Sequence, residues 1–155
     1  MTNTKTKLIF VSIFILVLLI LVPKYFITEK TDTVSNGLTS FIYNEKIIQL
    51  EIAKTEEEKI KGLSGRNYLE KNKGLLFVYD DLDFYGIWMK EMSFPIDIIW
   101  MDEDYRVVTV TENVSPDTYP TVFYPDKKSK YIIELNAGIS KEIDLNVESV
   151  INMNY

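Results

Sequence analysis

The sequence predicts an α+β domain that is mainly antiparallel β. Its sheet is expected to curl or form a partly open barrel, with one or two short helices, after an N-terminal transmembrane helix. Three observations carry this. Short β-branched and aromatic stretches recur between turn residues over most of the chain. One helix start is marked by a capping-box pattern. Leu8 to Val22 is apolar throughout except for Ser12.

That apolar run divides the chain into an N-terminal segment at 1–27, a linker at 28–37 and a single soluble domain at 38–155. Fifteen helical residues reach about 22 Å, short of a hydrocarbon core of about 30 Å. Extending the span to Ile27 supplies the missing length, with Tyr25 and Phe26 suited to the interfacial aromatic belt and Lys24 able to snorkel. A cleaved signal peptide shares the basic start, Lys5 and Lys7, but wants small residues where this chain reads Val22-Pro-Lys-Tyr-Phe26. An uncleaved signal-anchor is therefore the expectation. The Lys distribution places the N-terminus in the cytoplasm and the domain outside it, as a single-pass membrane protein. Thr28 to Gly37 is short and polar, a tether close to the membrane.

Within the domain, Leu38–Tyr43 and Ile47–Ile52 read as a hairpin turning at Asn44-Glu45. Thr55-Glu-Glu-Glu58 starts a short helix that Gly62 or Gly65 should end. Leu75–Tyr79 is a strand, with Asp80, Asp81 and Asp83 expected in a turn after it. Tyr85–Met89 and Ile96–Met101 are strands separated at Pro95. Arg106–Asn113 alternates as a strand, Ser115–Lys130 is a long loop, and Tyr131–Leu135 is a strand. Gly138–Ile143 suits a helical turn and Val147–Met153 a last strand. About eight strands in so small a domain must bury their edges.

Composition removes several chemistries. The chain has neither Cys nor His, so it offers no disulfide, no thiolate or imidazole metal site, and no Ser–His or Cys–His pair. From Asn36 onward, 13 Lys and Arg face 21 Asp and Glu, a net of −8. No basic stripe is present, and nucleic acid is not expected as a partner. The acidic clusters at Asp80–Asp83 and Asp102–Asp104 lack the spacing of a calcium loop and read as turn chemistry. No metal and no cofactor is expected.

The most unusual stretch runs from Gly74 to Trp100, where Lys90, Glu91 and Asp97 sit among aromatics. Charges in such a setting must be paired or used. Asp97 is either a ligand-binding acid or a carboxylate that holds the backbone of the Pro95 turn. Arg66 is expected to pair with Asp97 or Glu134, or to bind an anionic ligand group. Lys90, beside Trp88, is a ligand clamp or nucleophile, or simply lies along the ring with its head in water. Glu134 either points outward by strand alternation or needs a cation inside. With Tyr85 and Trp88 these residues would form an aromatic pocket for a small molecule.

Three blocks stand in order: Gly62-Leu-Ser-Gly-Arg66 with Gly74-Leu-Leu-Phe77; Trp88-Met-Lys90 through Pro95-Ile-Asp97-Ile98; and Tyr131-Ile-Ile-Glu134-Leu-Asn-Ala-Gly138. Together, over about residues 46–153, they resemble the uncharacterised family called domain of unknown function 192. The resemblance implies a fold and, for many members, export or membrane anchoring, but no reaction. This chain departs from the family pattern at Glu91-Met92, where the family has Asn-Thr, at Ser64, where it has Met, and at Tyr105, where it has Gly.

Two functional expectations follow. One is a membrane-anchored extracytoplasmic module that binds a small polar ligand or an envelope partner through Arg66, Tyr85, Trp88, Lys90, Asp97 and Glu134. The other is an envelope carbohydrate hydrolase or transferase that uses Asp97 and Glu134 as a carboxylate pair.

Overall fold

The computed structural model describes residues 38–153. The apolar run at 8–22 and the linker at 28–37, with the transmembrane helix expected there, lie outside the described residues. Among the described residues no helix is long and apolar enough to cross a membrane.

β1 (Leu38–Tyr43) and β2 (Lys46–Ala53) form the expected hairpin. Asn44 and Glu45 both take positive φ, 45° and 64°, as a two-residue primed turn requires. Helix α1 (Glu56–Lys61) carries the expected capping box. Glu58 N donates to the Thr55 hydroxyl (3.2 Å), and Thr55 N donates to the Glu58 carboxylate (2.9 Å). Gly62 ends the helix at φ 49°.

β3 (Lys73–Asp83) then returns parallel to β2, in register from Gln49↔Lys73 to Ala53↔Phe77. It is the parallel exception in a mainly antiparallel sheet. The connection through α1 is long enough for a crossover, which a hairpin does not need. Asp80, Asp81 and Asp83 continue β3 instead of turning. The extension is partnered at its end, where Asp83 meets Ser129 across a break in register.

β5 (Ile96–Met101), β6 (Val107–Val114) and β8 (Ser129–Asn136) complete a six-stranded sheet in the order β1-β2-β3-β8-β5-β6. Apart from β2–β3, its pairings are antiparallel. The expected Tyr85–Met89 strand shrinks to β4 (Ile87–Trp88). Its partner is β7 (Val122–Phe123), inside the stretch expected to be loop, after a 3-10 turn at Pro116–Thr118. α2 (Ile139–Glu142) is the expected helical turn.

The sheet is not closed. The expected last strand reduces to two isolated bridges, Val150 to Arg106 beside β6 and Met153 to Phe41 in β1, so the C-terminal tail touches both edges without a ladder. The sheet is covered on both faces. One face packs Leu76, Ile99, Ile133 and Leu135 against α2 and the tail. The other packs Leu75, Phe77, Ile98 and Trp100 under Leu63, Leu69, Ile87 and Met89. Double coverage explains why β5 is buried along its whole length, where a half-exposed strand would alternate. Gly74 lets the central strands approach: a Cβ there would lie 2.6 Å from Leu135 Cδ2 and 2.7 Å from the Glu134 carbonyl.

Candidate functional site

Cross-strand partners share a face of a sheet, so register decides where each acid points. Asp97 stands opposite Leu135, on the face covered by α2. Glu134 stands opposite Ile98 and Leu75, on the other face. The two carboxylates therefore do not share a cleft. This corrects the carboxylate-pair expectation: Asp97 and Glu134 cannot flank one glycosidic bond from opposite sides of a sheet.

Asp97 is fully buried and fully used. Oδ1 accepts from Asn113 N (2.9 Å) and Gly138 N (3.0 Å), and Oδ2 from Ser140 N (2.9 Å) and the Ser140 hydroxyl (2.7 Å). It ties β5 to the end of β6 and to α2. Its role is structural, and it leaves the candidate ligand site. Arg66 likewise pairs with neither Asp97 nor Glu134. Its guanidinium makes a two-pronged contact with Glu51 (Nη1–Oε1 2.6 Å, Nη2–Oε2 2.8 Å), which pins the 62–66 loop to β2.

Glu134 is the opposite case. It is 4 % exposed, and among the described residues its Oε2 meets no hydrogen-bond partner. Burial pushes its carboxyl up to about 8, against the opposing pull of the Arg66 charge. It stands at a cleft of about 70 Å³ between the end of α1, β3 and β4, with Phe77, Tyr79, Trp88 and Met92 among the lining residues.

The walls are ordered. Tyr79 stacks on Tyr85 with ring centres 3.5 Å apart and planes 10° apart. The indole N–H of Trp100 donates to the Tyr85 carbonyl (2.9 Å), which fixes that segment. Lys59 Nζ lies 4.4 Å from the Tyr79 ring centre and 2.9 Å from Glu56 Oε1. Burial first, then the negative charge of Glu56, pushes the Tyr79 phenol up to about 12. Trp88 is 46 % exposed, with Tyr119 6.0 Å away and Lys90 Nζ 5.7 Å from its ring centre. Lys90 thus lies along the indole, the simpler of its two expected roles, while its carbonyl accepts from the Ser64 hydroxyl (2.8 Å).

Of the six expected residues, the fold brings Glu134 and Trp88 to the cleft and sets Tyr85 behind its wall. Lys90 sits along Trp88, Arg66 is bound to Glu51, and Asp97 is across the sheet. Lys59, Tyr79 and Met92 were not expected. Tyr79 was findable: β3 alternation places Leu75, Phe77 and Tyr79 on one face. Lys59 and Met92 had no signal, because their positions depend on how α1 and the β4–β5 connection fold over the sheet.

The 62–66 and 88–97 blocks, the β3 strand and the Glu134 strand thus meet in one structure, in the order the family pattern has. A family model for the uncharacterized ACR family DUF192 matches residues 39–153. The chain belongs to the DUF192 family. Among curated proteins, none matches. Two crystal structures share the fold. One is a candidate transcription regulator from Sinorhizobium meliloti 1021, 22 % identical at a TM-score of 0.69, covering 75 % of this chain and 92 % of that one. The other is a protein of unknown function from Novosphingobium aromaticivorans DSM 12444, 24 % identical at 0.67, covering 74 % and 82 %. At these identities the likeness shows the fold alone.

Two departures from the DUF192 pattern have a backbone meaning. Glu91, where the pattern has Asn, takes φ 56°, and Tyr105, where it has Gly, takes φ 58°. Asn and Gly are the residues that tolerate left-handed backbone best. Met92, in place of Thr, lines the cleft and makes it more apolar.

Proposed function

We propose that this DUF192 protein is a membrane-anchored extracytoplasmic binding module whose cleft at Glu134 takes a small polar ligand group. The observation that carries the reading is Glu134 itself. Among the apolar side chains of that face stands one buried carboxyl with an unpartnered oxygen, and that residue lines the cleft. Leaving such a group unsatisfied is unfavourable by about 1–3 kcal/mol, so a resident structural role gives it no reason to be there. The aromatic walls and the few convergent polar groups have the character of a small-molecule site. Membrane anchoring rests on Leu8–Val22 behind Lys5 and Lys7.

Thermal shift of the full-length protein against a library of small polar compounds tests the binding reading. A specific ligand raises the midpoint by mass action, and Glu134→Gln removes the shift. Shifts that survive in the variant would move the site elsewhere. Ser35→Cys, labelled with an impermeant thiol reagent on intact cells, tests topology. Labelling only after lysis would reverse the orientation.

A further inference from the structure

We infer that the cleft takes the protonated end of an aminoalkyl group, with the Glu134 carboxylate as its counter-ion and aromatic rings as its walls. This deepens the binding reading above and rests on it.

The first argument is donor supply. Oε2 is an acceptor that no described group satisfies. Once the carboxyl ionises, a ligand that brings N–H donors and a positive charge completes it. The second is the walls. Phe77 and Trp88 line the cleft, and rings attract cations at their faces. Tyr79, stacked on Tyr85 and holding the Lys59 ammonium 4.4 Å from its ring centre, shows that a neighbouring ring already accepts this group.

The third is size. A cleft of about 70 Å³ has room for an ammonium and the start of its alkyl stem. The fourth is the rim. Ile60 is 73 % exposed, and Val122 and Tyr124 crowd Gly86, where a Cβ would lie 2.5 and 2.7 Å from them. Ile60 gives an alkyl stem apolar surface, beside the polar Lys59, Lys61 and Ser64 that also line the cleft.

The charged neighbours agree. From α1, Lys59 is held by Glu56 (2.9 Å), and Lys61 is exposed. From the 62–66 loop, Arg66 is held by Glu51 of β2. β3 contributes the Tyr79 phenol, neutral below about 12, and β5 contributes Ile98, which is apolar. Of the two lysines that line the cleft, Lys59 is matched by Glu56 and Lys61 stands exposed to solvent, while an ionised Glu134 has no partner at Oε2.

An alkylamine is a cation at pH 7, its pKa being about 10. The Glu134 carboxyl holds its proton up to about pH 8. Binding therefore balances as R–NH3+ plus Glu–COOH giving the R–NH3+/Glu–COO− pair plus one proton released to solvent. Affinity should rise about tenfold per pH unit below pH 8, with close to one proton released per ligand at pH 7.

The test is calorimetric titration of the full-length protein at pH 6, 7 and 8, in two buffers of different protonation enthalpy. The probes are n-butylamine and Nα-acetyl-lysine methylamide, with n-butanol and butyrate as neutral and anionic counterparts. The expected result is binding of both amines with proton release, an affinity that rises with pH, and a loss of at least about tenfold in Glu134→Gln. A lysine derivative that binds tighter than butylamine points to a peptide side chain as the source, and parity to a free amine. Butanol binding as well as butylamine, or butyrate binding better with proton uptake, overturns the aminoalkyl assignment and leaves the cleft a binding site. No probe of any charge binding, with Glu134→Gln merely more stable than the parent, overturns both.

Discussion

The two faces of the central sheet each hold one buried carboxylate, on neighbouring strands and one residue apart in register. They have opposite fates. Asp97 receives four donors from β6 and α2. Glu134 receives none at Oε2. The sheet itself is alike on both sides. What differs is the covering layer: α2 and its preceding turn present free amides, whereas the layer over Glu134 presents rings and a cleft. A buried acid is satisfied where the cover supplies donors and left unpartnered where it does not.

Removing Asp97 should have the largest effect. Asp97→Ala strands three backbone amides and one hydroxyl in the interior, and we expect a loss on the order of 3–5 kcal/mol in urea unfolding. A loss below about 1 kcal/mol would mean that the clamp is idle.

Glu134→Gln should move stability in the other direction. The unfolded carboxyl titrates near 4.5 and the folded one near 8. Between those values the folded chain keeps a proton that the unfolded chain has lost. Stability of the parent therefore falls as pH rises from 4.5 to 8 and is flat beyond, at up to about 1.4 kcal/mol per pH unit. The variant lacks this slope. Its advantage grows over the same window to the order of 3 kcal/mol after allowing for a buried carboxamide. Parallel stability–pH curves for parent and variant would show that Glu134 is not the desolvated acid of the pair.

The smallest effect concerns the loop that frames the cleft. Glu91→Asn puts a residue suited to left-handed backbone at φ 56°. It should stabilise by roughly 0.5–1 kcal/mol without altering ligand response. A changed ligand response would place Glu91 in the site after all.

Much of the fold was legible because local patterns and tertiary demands agree. The Thr55 capping box, the Asn44-Glu45 turn and the apolar run of β5 each announce themselves over a few residues. The failures share one cause. The parallel return of β3, the β4–β7 pairing and the reduction of the last strand to two bridges depend on partners far away in sequence. The site follows the same rule. Glu134 and Trp88 stood out as a charge and a ring within apolar runs. Asp97 stood out equally, yet no local feature distinguishes an acid facing amides from one facing a cleft.

The sequence by itself determined that a β-rich domain of the DUF192 family would form, that His and Cys chemistry is absent, and that a few acids stand within apolar, aromatic runs. Those properties reside in residue type and spacing over short distances. Only the tertiary structure decided which acid is satisfied, that Arg66 belongs to Glu51, and that Lys59 and Tyr79 frame Glu134. Strand register sets the face on which a side chain emerges, and the layer packed over that face sets the donors it meets.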